Sequence, residues 1–180
     1  MEAIELSTNR LEGTVPAWIG NLPALYQLSL HQNSFTDIDI PEINSLAVLK
    51  QVLLGTNQLT SWPRMLRFLP QVVYLQLSNN NISEPIPRWM EHAGFIEYFD
   101  ISNNRVPGNI SISPYPGDAT YRSFFAPTTF LASNNRLQFP VDEAFRALQS
   151  FKNLNFVRAD AVLKDVGWEL LIVVSRPIMT

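Results

Sequence analysis

Side chains that commonly carry enzyme chemistry are few and dispersed in this 180-residue sequence. It contains no Cys and two His, His31 and His92, which excludes disulfides, cysteine metal sites and thiolate nucleophiles. Asp37, Asp39 and Glu42 form a carboxylate cluster, but they lack the glycine turn and the twelve-residue spacing of a calcium loop. The glycine-rich phosphate loop, the nucleophile elbow and the kinase motifs are all absent. The sequence therefore predicts a protein that is not an enzyme, with no metal and no cofactor.

The composition indicates a folded chain whose surface carries little charge. Apolar residues make up 46% of the chain and charged residues only 16%, against about 25% charged residues in an average soluble domain. The fifteen Asn residues, together with Ser, Thr and Gln, must therefore supply much of the polar surface. The net charge is -3 with both signs interspersed, which offers no basic footprint, so we expect no nucleic-acid partner.

Neither end of the sequence has the features of a targeting or membrane segment. Residues 1–5 are acidic and amphipathic, whereas a secretory signal has a basic start followed by about 7–15 apolar residues. The apolar run at 170–174 is far shorter than the roughly 18 residues that a membrane span requires. We therefore expect no membrane span in this chain.

A single frame recurs along the chain: an apolar residue, any residue, an apolar residue, two variable residues and Asn. The six Asn residues are successively 24, 24, 23, 24 and 31 residues apart, and they are Asn9, Asn33, Asn57, Asn80, Asn104 and Asn135. Flanking apolar residues complete the pattern L-x-x-L-x-L-x-x-N-x-L, whose period of about 20–29 residues is typical of leucine-rich repeats. A seventh frame at 151–156 has Ala159 where the Asn would stand. We predict a leucine-rich repeat array of about seven repeats over 1–159 and an irregular or capping segment over 160–180.

Each frame predicts one short strand, because its alternating apolar residues point to one side of an extended chain. Strands stacked one repeat apart build a parallel sheet over a shared core. We interpret the six Asn as a structural ladder rather than ligand contacts, since their amides can satisfy backbone groups buried where the chain turns. Pro recurs in the returning segments, which include helix-compatible stretches such as 17–22 and 143–148. The sequence predicts an α/β repeat solenoid, a right-handed superhelix with a concave parallel β-sheet and an irregular or short-helical convex side.

The outward positions of the predicted strands form the concave face, where we expect a ligand to bind. This face is polar and almost uncharged, and it carries Tyr74 and Tyr98 one repeat apart, about 5 Å from each other on neighbouring strands. Tyrosine is a good recognition anchor because it combines apolar area, a hydroxyl group and little rotamer entropy. Ordinary cross-strand packing is the alternative explanation of the pair. The residues expected to contact a ligand are His31, Tyr74, Gln76, Ser78, Tyr98, Asp100 and Ser102.

The 31-residue interval predicts an irregular insertion near 107–127. We interpret it as a degenerate repeat, with a loop that contacts the ligand as the alternative. Two N-x-[ST] sequons, at Asn81 and Asn109, are glycosylation candidates in a secreted protein. His92 falls on the convex return, so the sequence does not bring it together with His31.

Residues 9–25 resemble the plant-type leucine-rich repeat N-x-L-x-G-x-I-P-x-x-L-G-x-L-x-x-L nearly position for position. Residues 80–87 are similar, with Pro85 in place of the Gly. The resemblance is to the extracellular domains of plant receptor-like kinases, receptor-like proteins and polygalacturonase inhibitors. It implies a module that binds a protein, a peptide or a glycan outside the cell in signalling or defence, with a co-receptor as a further partner. A non-catalytic scaffold or an enzyme inhibitor is the alternative function.

The chain also differs from the proteins that it resembles. Members of that family usually carry a signal peptide, paired cysteines in terminal caps and, in the receptors, a membrane span. Because this sequence shows none of these and its first repeat begins at a strand, we expect an interior fragment of a longer extracellular or cell-surface protein. A cytoplasmic protein without caps is the alternative.

Overall fold

The structure, a computed structural model, is built around one sheet of short strands and describes residues 2–38, 40, 46–69, 71–92, 96–109, 129–138, 156–158 and 171–172. The strands of this sheet, in spatial order, are β1 (Ala3–Glu5), β3 (Gln27–Ser29), β5 (Gln51–Leu53), β6 (Tyr74–Gln76), β7 (Tyr98–Asp100), β9 (Thr129–Leu131), β11 (Phe156–Arg158) and β12 (Leu171–Ile172). Neighbours from β1 to β11 pair in parallel, whereas β12 pairs antiparallel with β11. The predicted parallel sheet is therefore present.

The register of the sheet follows the sequence repeat. Val52 pairs with Leu75, and Leu75 pairs with Phe99, so equivalent positions of successive frames lie side by side. The same register continues from Phe99 to Phe130 across the 31-residue interval. The longer interval therefore leaves the sheet in phase, and its additional residues belong to the segment between the strands.

The apolar positions of the frames form the core. The side chains of Leu28, Leu54, Leu75 and Phe99 are at most 1% exposed, and they stack along the inner side of the sheet. Burying one such side chain contributes about 1.5–3 kcal/mol. No single repeat could bury its apolar side alone, so each repeat depends on its neighbours for stability.

The returning segments on the convex side contain short 3-10 helices. Those described are Ala17–Asn21, Arg64–Phe68 and Arg88–His92, and they follow Pro16, Pro63 and Pro87 directly. Pro is favoured at this position because its fixed φ suits the start of a helix, where the N–H that Pro lacks would have no partner within the helix. The predicted short-helical convex side is confirmed, and the predicted stretch 17–22 contains its first helix, Ala17–Asn21.

Two small parallel sheets flank the main one, just beyond the turns. One joins β2 (Glu12–Gly13) to β4 (Ser34–Phe35), and the other joins β8 (Pro107–Asn109) to β10 (Arg136–Gln138). They extend the contact between successive repeats from the strands to the beginning of the returning segments.

Five of the six predicted ladder Asn residues bridge successive repeats with buried or half-buried amides, whereas Asn9 is exposed and its amide donates within its own repeat. Asn80 is 7% exposed, and its Nδ2 donates to the carbonyls of Leu54 and Leu77 at 3.1 and 3.0 Å and to that of Ser78 at 3.3 Å. Its Oδ1 accepts the N–H of Leu59 at 3.0 Å. Each amide therefore closes the turn of its own repeat and binds the preceding repeat. Equivalent bonds are made by Asn33, Asn57, Asn104 and Asn135.

The residue before each ladder Asn adopts a left-handed backbone conformation. These residues are Thr8, Gln32, Thr56, Asn79, Asn103 and Asn134, with φ between 54° and 56°. The conformation reverses the chain after the strand. The backbone N–H of the left-handed residue then donates to a carbonyl of the next repeat, as Thr56 does to Ser78 at 2.8 Å. Asn tolerates this region, whereas a β-branched Thr is strained in it.

Several sequence predictions lie outside the described residues. They include the centre of the insertion at 110–128, the stretch 143–148, and Asp39 and Glu42 of the carboxylate cluster. The boundary between the array and the segment 160–180 stays a prediction. None of the helices in the described part of the chain is long and apolar enough to cross a membrane.

Candidate ligand-binding surface on the concave sheet

The centre of the concave surface is the pair Tyr74 and Tyr98. Their Cα atoms are register partners on β6 and β7, and their rings stack in parallel with centroids 4.2 Å apart. This is closer than the strand spacing of about 4.8 Å, so the two rings lean together into one layered platform. Both side chains are half-buried, which leaves the platform accessible from the concave side. The predicted proximity of the two tyrosines is confirmed.

The environment of the platform keeps the hydroxyl of Tyr98 protonated. Burial raises the pKa of Tyr98 above its usual range, and a hydrogen bond with Tyr74 and the negative charge of Asp100 act in the same direction. The neutral phenol remains a hydrogen-bond donor and acceptor at physiological pH. The platform therefore offers apolar ring area and polar hydroxyl tips side by side.

Asp100 lies two residues beyond Tyr98 on β7 and is largely buried, with 6% exposure. Its Oδ1 accepts the N–H of Ser102 at 2.9 Å and the Oγ–H of Ser102 at 2.6 Å. These two bonds hold the carboxylate close to the backbone of the turn that follows β7. Asp100 therefore forms part of the floor of the face, whereas Ser102 is half-buried, and the ligand contact expected of each stays a prediction.

Ser78 is also part of the floor rather than a projecting contact. It is 3% exposed, although the alternation of the strand predicts that it faces outward. Gln76 explains the difference, because its Cδ lies only 3.2 Å from where a Cβ on Gly55 would be, and the Oγ of Ser78 lies 3.3 Å from the same point. The long side chain of Gln76 thus leans over the preceding repeat, where Gly55 leaves room for it.

His31 belongs to a separate part of the concave face. Its Nδ1 lies 2.9 Å from the Oγ of Ser29, which is itself 1% exposed. Strand β5 separates it from β6, so the structure does not bring His31 to the tyrosine pair. His92 lies in the 3-10 helix Arg88–His92 on the opposite side, as predicted. The two histidines do not form a common site.

The electrostatics of the concave face are those of a nearly neutral surface with isolated carboxylates. At the outward positions of β1, β3, β5, β6, β7 and β9 and of the turns after them, the charged residues are Glu5 and Asp100. On β11, Arg158 occupies the position in register with Leu131 and Asp100. Among the described residues, no group of three or more His, Cys, Asp or Glu side chains could hold a metal ion. The arrangement suits non-covalent recognition by aromatic contact and hydrogen bonds.

A row of exposed amides borders the face, and alternation along the chain places Asn79 and Asn103 of this row at outward positions. Asn79, Asn103 and Asn134 each precede a ladder Asn, and the Nδ2 of Asn134 donates to the Oδ1 of Asn103 at 2.6 Å. The left-handed backbone at these positions turns the side chain outward while the following Asn points inward. The doubled Asn of the sequence is the signal that could have revealed this second row.

The first glycosylation candidate, Asn81, lies on the surface. Its side chain and that of Ser83 are exposed, while Ile82 between them is 0% exposed. The main chain of Asn109 belongs to β8, and its side chain lies outside the description.

Comparison with protein families and curated proteins gives a consistent result. A family model described as Leucine Rich Repeat matches residues 71–93. The chain is 27% identical to receptor-like protein 32 of Arabidopsis thaliana over 117 residues, which covers 61% of this chain and 14% of that protein. It is 37% identical to receptor-like protein 9a of the same plant over 92 residues, which covers 48% and 10%. The chain therefore spans only a small part of these relatives.

Solved structures share the same fold. A leucine-rich repeat protein of Leptospira interrogans superposes with a TM-score of 0.70 at 22% identity, covering 89% of this chain and 37% of that chain. The plant peptide hormone receptor RGFR1, solved in complex with RGF2, has a TM-score of 0.61 at 25% identity and covers 87% and 23%. The first similarity bears on the fold alone, and the second is to a receptor for a peptide hormone.

Proposed function

Since the chain is a leucine-rich repeat solenoid similar to plant receptor-like proteins, we propose that it is a ligand-binding segment of such a receptor-like protein or receptor kinase. Its ligand is a protein or peptide that acts outside the cell in signalling or defence. The segment binds without catalysing a reaction. The tyrosine platform formed by Tyr74 and Tyr98 is the centre of the binding surface.

The observation that carries this proposal is the stacked pair itself. A parallel stack at 4.2 Å presents two rigid aromatic edges and two hydroxyl groups on a largely uncharged surface. Aromatic anchors of this kind dominate the energetics of many protein interfaces, because they bury large areas at a small cost in side-chain entropy. Cross-strand packing explains why the rings lie together, and their half-buried state leaves area for a partner.

Similarity to known receptors supports the class of ligand. The curated relatives are receptor-like proteins, and one structural neighbour at 25% identity is a peptide hormone receptor with its peptide bound. An extracellular location and a co-receptor belong to this same proposal. A glycan ligand, a scaffold and an enzyme inhibitor of the polygalacturonase-inhibitor kind are the outcomes that would replace it.

Selection from a random displayed peptide library on the refolded chain tests the proposal. We expect the library to yield peptides whose affinity falls at least tenfold for the double variant Tyr74→Ala/Tyr98→Ala, because the platform loses both anchors. The double variant Trp18→Ala/Phe68→Ala is the matched control, since these rings are 58% and 59% exposed in the 3-10 helices of the convex side.

Each outcome of that selection has a defined meaning. Peptides that lose affinity only with the tyrosine variant support the proposal. Peptides that bind both double variants equally well, or that depend on Trp18 and Phe68 instead, contradict the concave site. A library that yields no binder, while purified plant cell-wall glycans or a polygalacturonase bind, favours the replacement functions.

A further inference from the structure

The solenoid has an open end at its first repeat. Strand β1 lies at the end of the sheet, and among the described residues only β3 pairs with it, which leaves its other edge free. At the opposite end of the sheet, β12 pairs antiparallel with β11 and covers the edge of the last parallel strand. We call the free edge of β1, together with Ile4, Leu6, Asn9 and Leu11, the N-terminal end face.

Two apolar frame positions that are buried in other repeats are exposed on the N-terminal end face. Leu6 and Leu11 are 40% and 38% exposed. Their counterparts in the next three repeats are at most 4% exposed, and they are Leu30, Leu54 and Leu77 for Leu6 and Phe35, Leu59 and Ile82 for Leu11. The second repeat contacts the first in the usual way, since the N–H of Leu6 donates to the carbonyl of Ser29 at 2.9 Å. The exposed area therefore lies on the side away from the second repeat.

The amide of Asn9 lacks the bonds that its counterparts make to a preceding repeat. In the second repeat, Nδ2 of Asn33 donates to the carbonyl of Leu6 at 2.9 Å, and its Oδ1 accepts the N–H of Leu11 at 3.0 Å. Nδ2 of Asn9 donates to the carbonyls of Leu6 and Ser7 in its own repeat, and its Oδ1 has no hydrogen-bond partner among the described residues. Half of an amide bridge between repeats is thus in place at this end.

The backbone of β1 also presents groups for a further strand. The N–H groups of a strand point alternately to its two sides. Because the N–H of Leu6 points to β3, those of Ala3 and Glu5 point to the free edge. A free edge with such groups is a template for pairing with another extended segment.

We propose that the N-terminal end face docks a further leucine-rich-repeat turn that is covalently continuous with this chain. The turn supplies a strand parallel to β1 and the frame apolar-x-apolar-x-x-Asn-x-apolar, whose apolar residues cover Leu6 and Leu11. Its carbonyl at the second apolar position accepts from Nδ2 of Asn9, and the N–H two residues after its own Asn donates to Oδ1 of Asn9. The inference goes beyond the proposed function, because it holds for any ligand of the concave face.

A second copy of the chain fits this face less well than a repeat turn. Two copies related by a two-fold axis would pair their β1 strands antiparallel, so the turns would lie at opposite ends and neither Asn9 would meet the N–H that its counterparts bind. The first repeat also exposes Glu2, Glu5 and Glu12 against the single cation Arg10, and self-association would bring these like charges together.

Covalent continuity follows from the weakness of a single repeat. One turn cannot bury its apolar side alone, so a turn from a separate chain would pay the full cost of ordering when it docks. A turn joined to the chain pays less, since the linkage holds it beside the end face.

Duplication of one repeat in the full chain tests the inference. Residues 25–48 are inserted a second time directly before residue 1, so that the copied Asn33 stands 24 residues before Asn9, the interval that separates Asn9 from Asn33. Hydrogen exchange followed by NMR measures the amides of Ala3 and Glu5. We expect the inserted turn to slow their exchange at least about tenfold and to raise the midpoint of urea unfolding, because docking covers the edge and both exposed leucines.

A matched control inserts the same residues with Leu28→Asp and Leu30→Asp in the copy. This insertion keeps the length and the period but cannot bury its strand, so exchange at Ala3 and Glu5 should stay as in the original chain. A second variant, Leu11→Asp, should lower the midpoint of urea unfolding more in the extended chain than in the original chain, since only docking covers the exposed part of Leu11.

Three results would overturn the inference. The first is unchanged exchange at Ala3 and Glu5 in the extended chain, or equal protection by the control insertion. The second is an extended chain that unfolds more readily in urea than the original chain. The third is a dimer of the original chain in sedimentation that Leu6→Asp and Leu11→Asp dissociate, which would assign the face to a second copy.

Discussion

The ring of Tyr74 lies parallel to the ring of Tyr98, at an interplanar angle of 0° and a centroid distance of 4.2 Å. The pair joins the fourth repeat to the fifth, because its Cα atoms are partners across β6 and β7. Stacking removes part of each ring from water and strengthens the sheet at this point. The surface that we propose for recognition is therefore also part of what holds the two repeats together.

The protonation of Tyr98 predicts a loss of stability in alkali. The pKa of Tyr98 is raised in the folded chain above the unfolded value of about 10, so the folded state holds this proton more tightly. That stabilisation is present below pH 10 and is lost as the pH rises above it. We expect the free energy of unfolding in urea to decrease between about pH 9 and 11, and Tyr98→Phe to reduce the decrease.

Tyr26→Phe is the control for that measurement, because Tyr26 is 42% exposed and lies outside the stack. An identical decrease in the wild type and in Tyr98→Phe would show that other groups cause the alkaline instability.

Removal of one ladder amide should destabilise two repeats at once. Asn80→Ala leaves the buried N–H of Leu59 without its partner, while the carbonyls of Leu54 and Leu77 each keep one bond, from the amides of Asn57 and Asn104. An unsatisfied buried group costs about 1–3 kcal/mol, so we expect a loss of about 1–3 kcal/mol in the free energy of unfolding. Denaturant unfolding followed by circular dichroism measures it.

The adjacent Asn81→Ala provides the matched control, since Asn81 is exposed and its side chain makes no hydrogen bond with the described residues. Its effect should stay within about 0.5 kcal/mol. Comparable losses for Asn80→Ala and Asn81→Ala would contradict the structural role of the ladder.

Replacing Thr56 by Asn should stabilise the folded chain. Its φ of 55° places a β-branched side chain in the left-handed region, which Asn occupies at the equivalent positions 79, 103 and 134. Because Asn tolerates this conformation, Thr56→Asn should raise the free energy of unfolding by about 0.5–1 kcal/mol. A higher midpoint temperature of thermal unfolding in Thr56→Asn than in the wild type would show this gain.

Thr60→Asn introduces the same side chain at an exposed position without a positive φ, and it should not stabilise the chain. Equal gains at Thr56 and Thr60 would assign the effect to Asn itself rather than to backbone strain.

Exposure of the first sequon predicts a glycan on Asn81. The acceptor amide and the hydroxyl of Ser83 are both accessible, so expression in a secretory host should add a glycan mass to the peptide that contains them. Ser83→Ala should remove that mass while leaving Asn81 in place. An unmodified Asn81 in wild-type chain that the host has glycosylated elsewhere would contradict the prediction.

Much of the fold could be predicted from the sequence because the repeat imposes the same local solution many times. The spacing of Asn33, Asn57 and Asn80 corresponds to the strand register, and the apolar frame positions are the buried ones. The first described 3-10 helix was also predictable, because Pro16 directly precedes it and the fixed φ of Pro favours a helix start. Local chemistry was sufficient in each case because each rule involves residues close in sequence.

The candidate site was only partly predictable, since its properties depend on side chains from different repeats. Alternation places Tyr74 and Tyr98 on the concave face, and strand spacing brings them together. Alternation also places Ser78 and Asp100 there, but their burial depends on the path of neighbouring side chains and on a bond to Ser102. A pattern of outward positions cannot distinguish a projecting side chain from one that lies along the floor.

The sequence by itself determined the solenoid, the direction of the strands and the amide ladder, because a repeating frame leaves one way to bury its apolar residues and satisfy its turns. Only the tertiary structure decided how the concave side chains meet. Gly55 gives the side chain of Gln76 room over the preceding repeat, and the rings of Tyr74 and Tyr98 stack at 4.2 Å. Those relationships join residues 21 and 24 positions apart, and their geometry depends on side-chain size and rotamers across strands rather than on the period of the repeat.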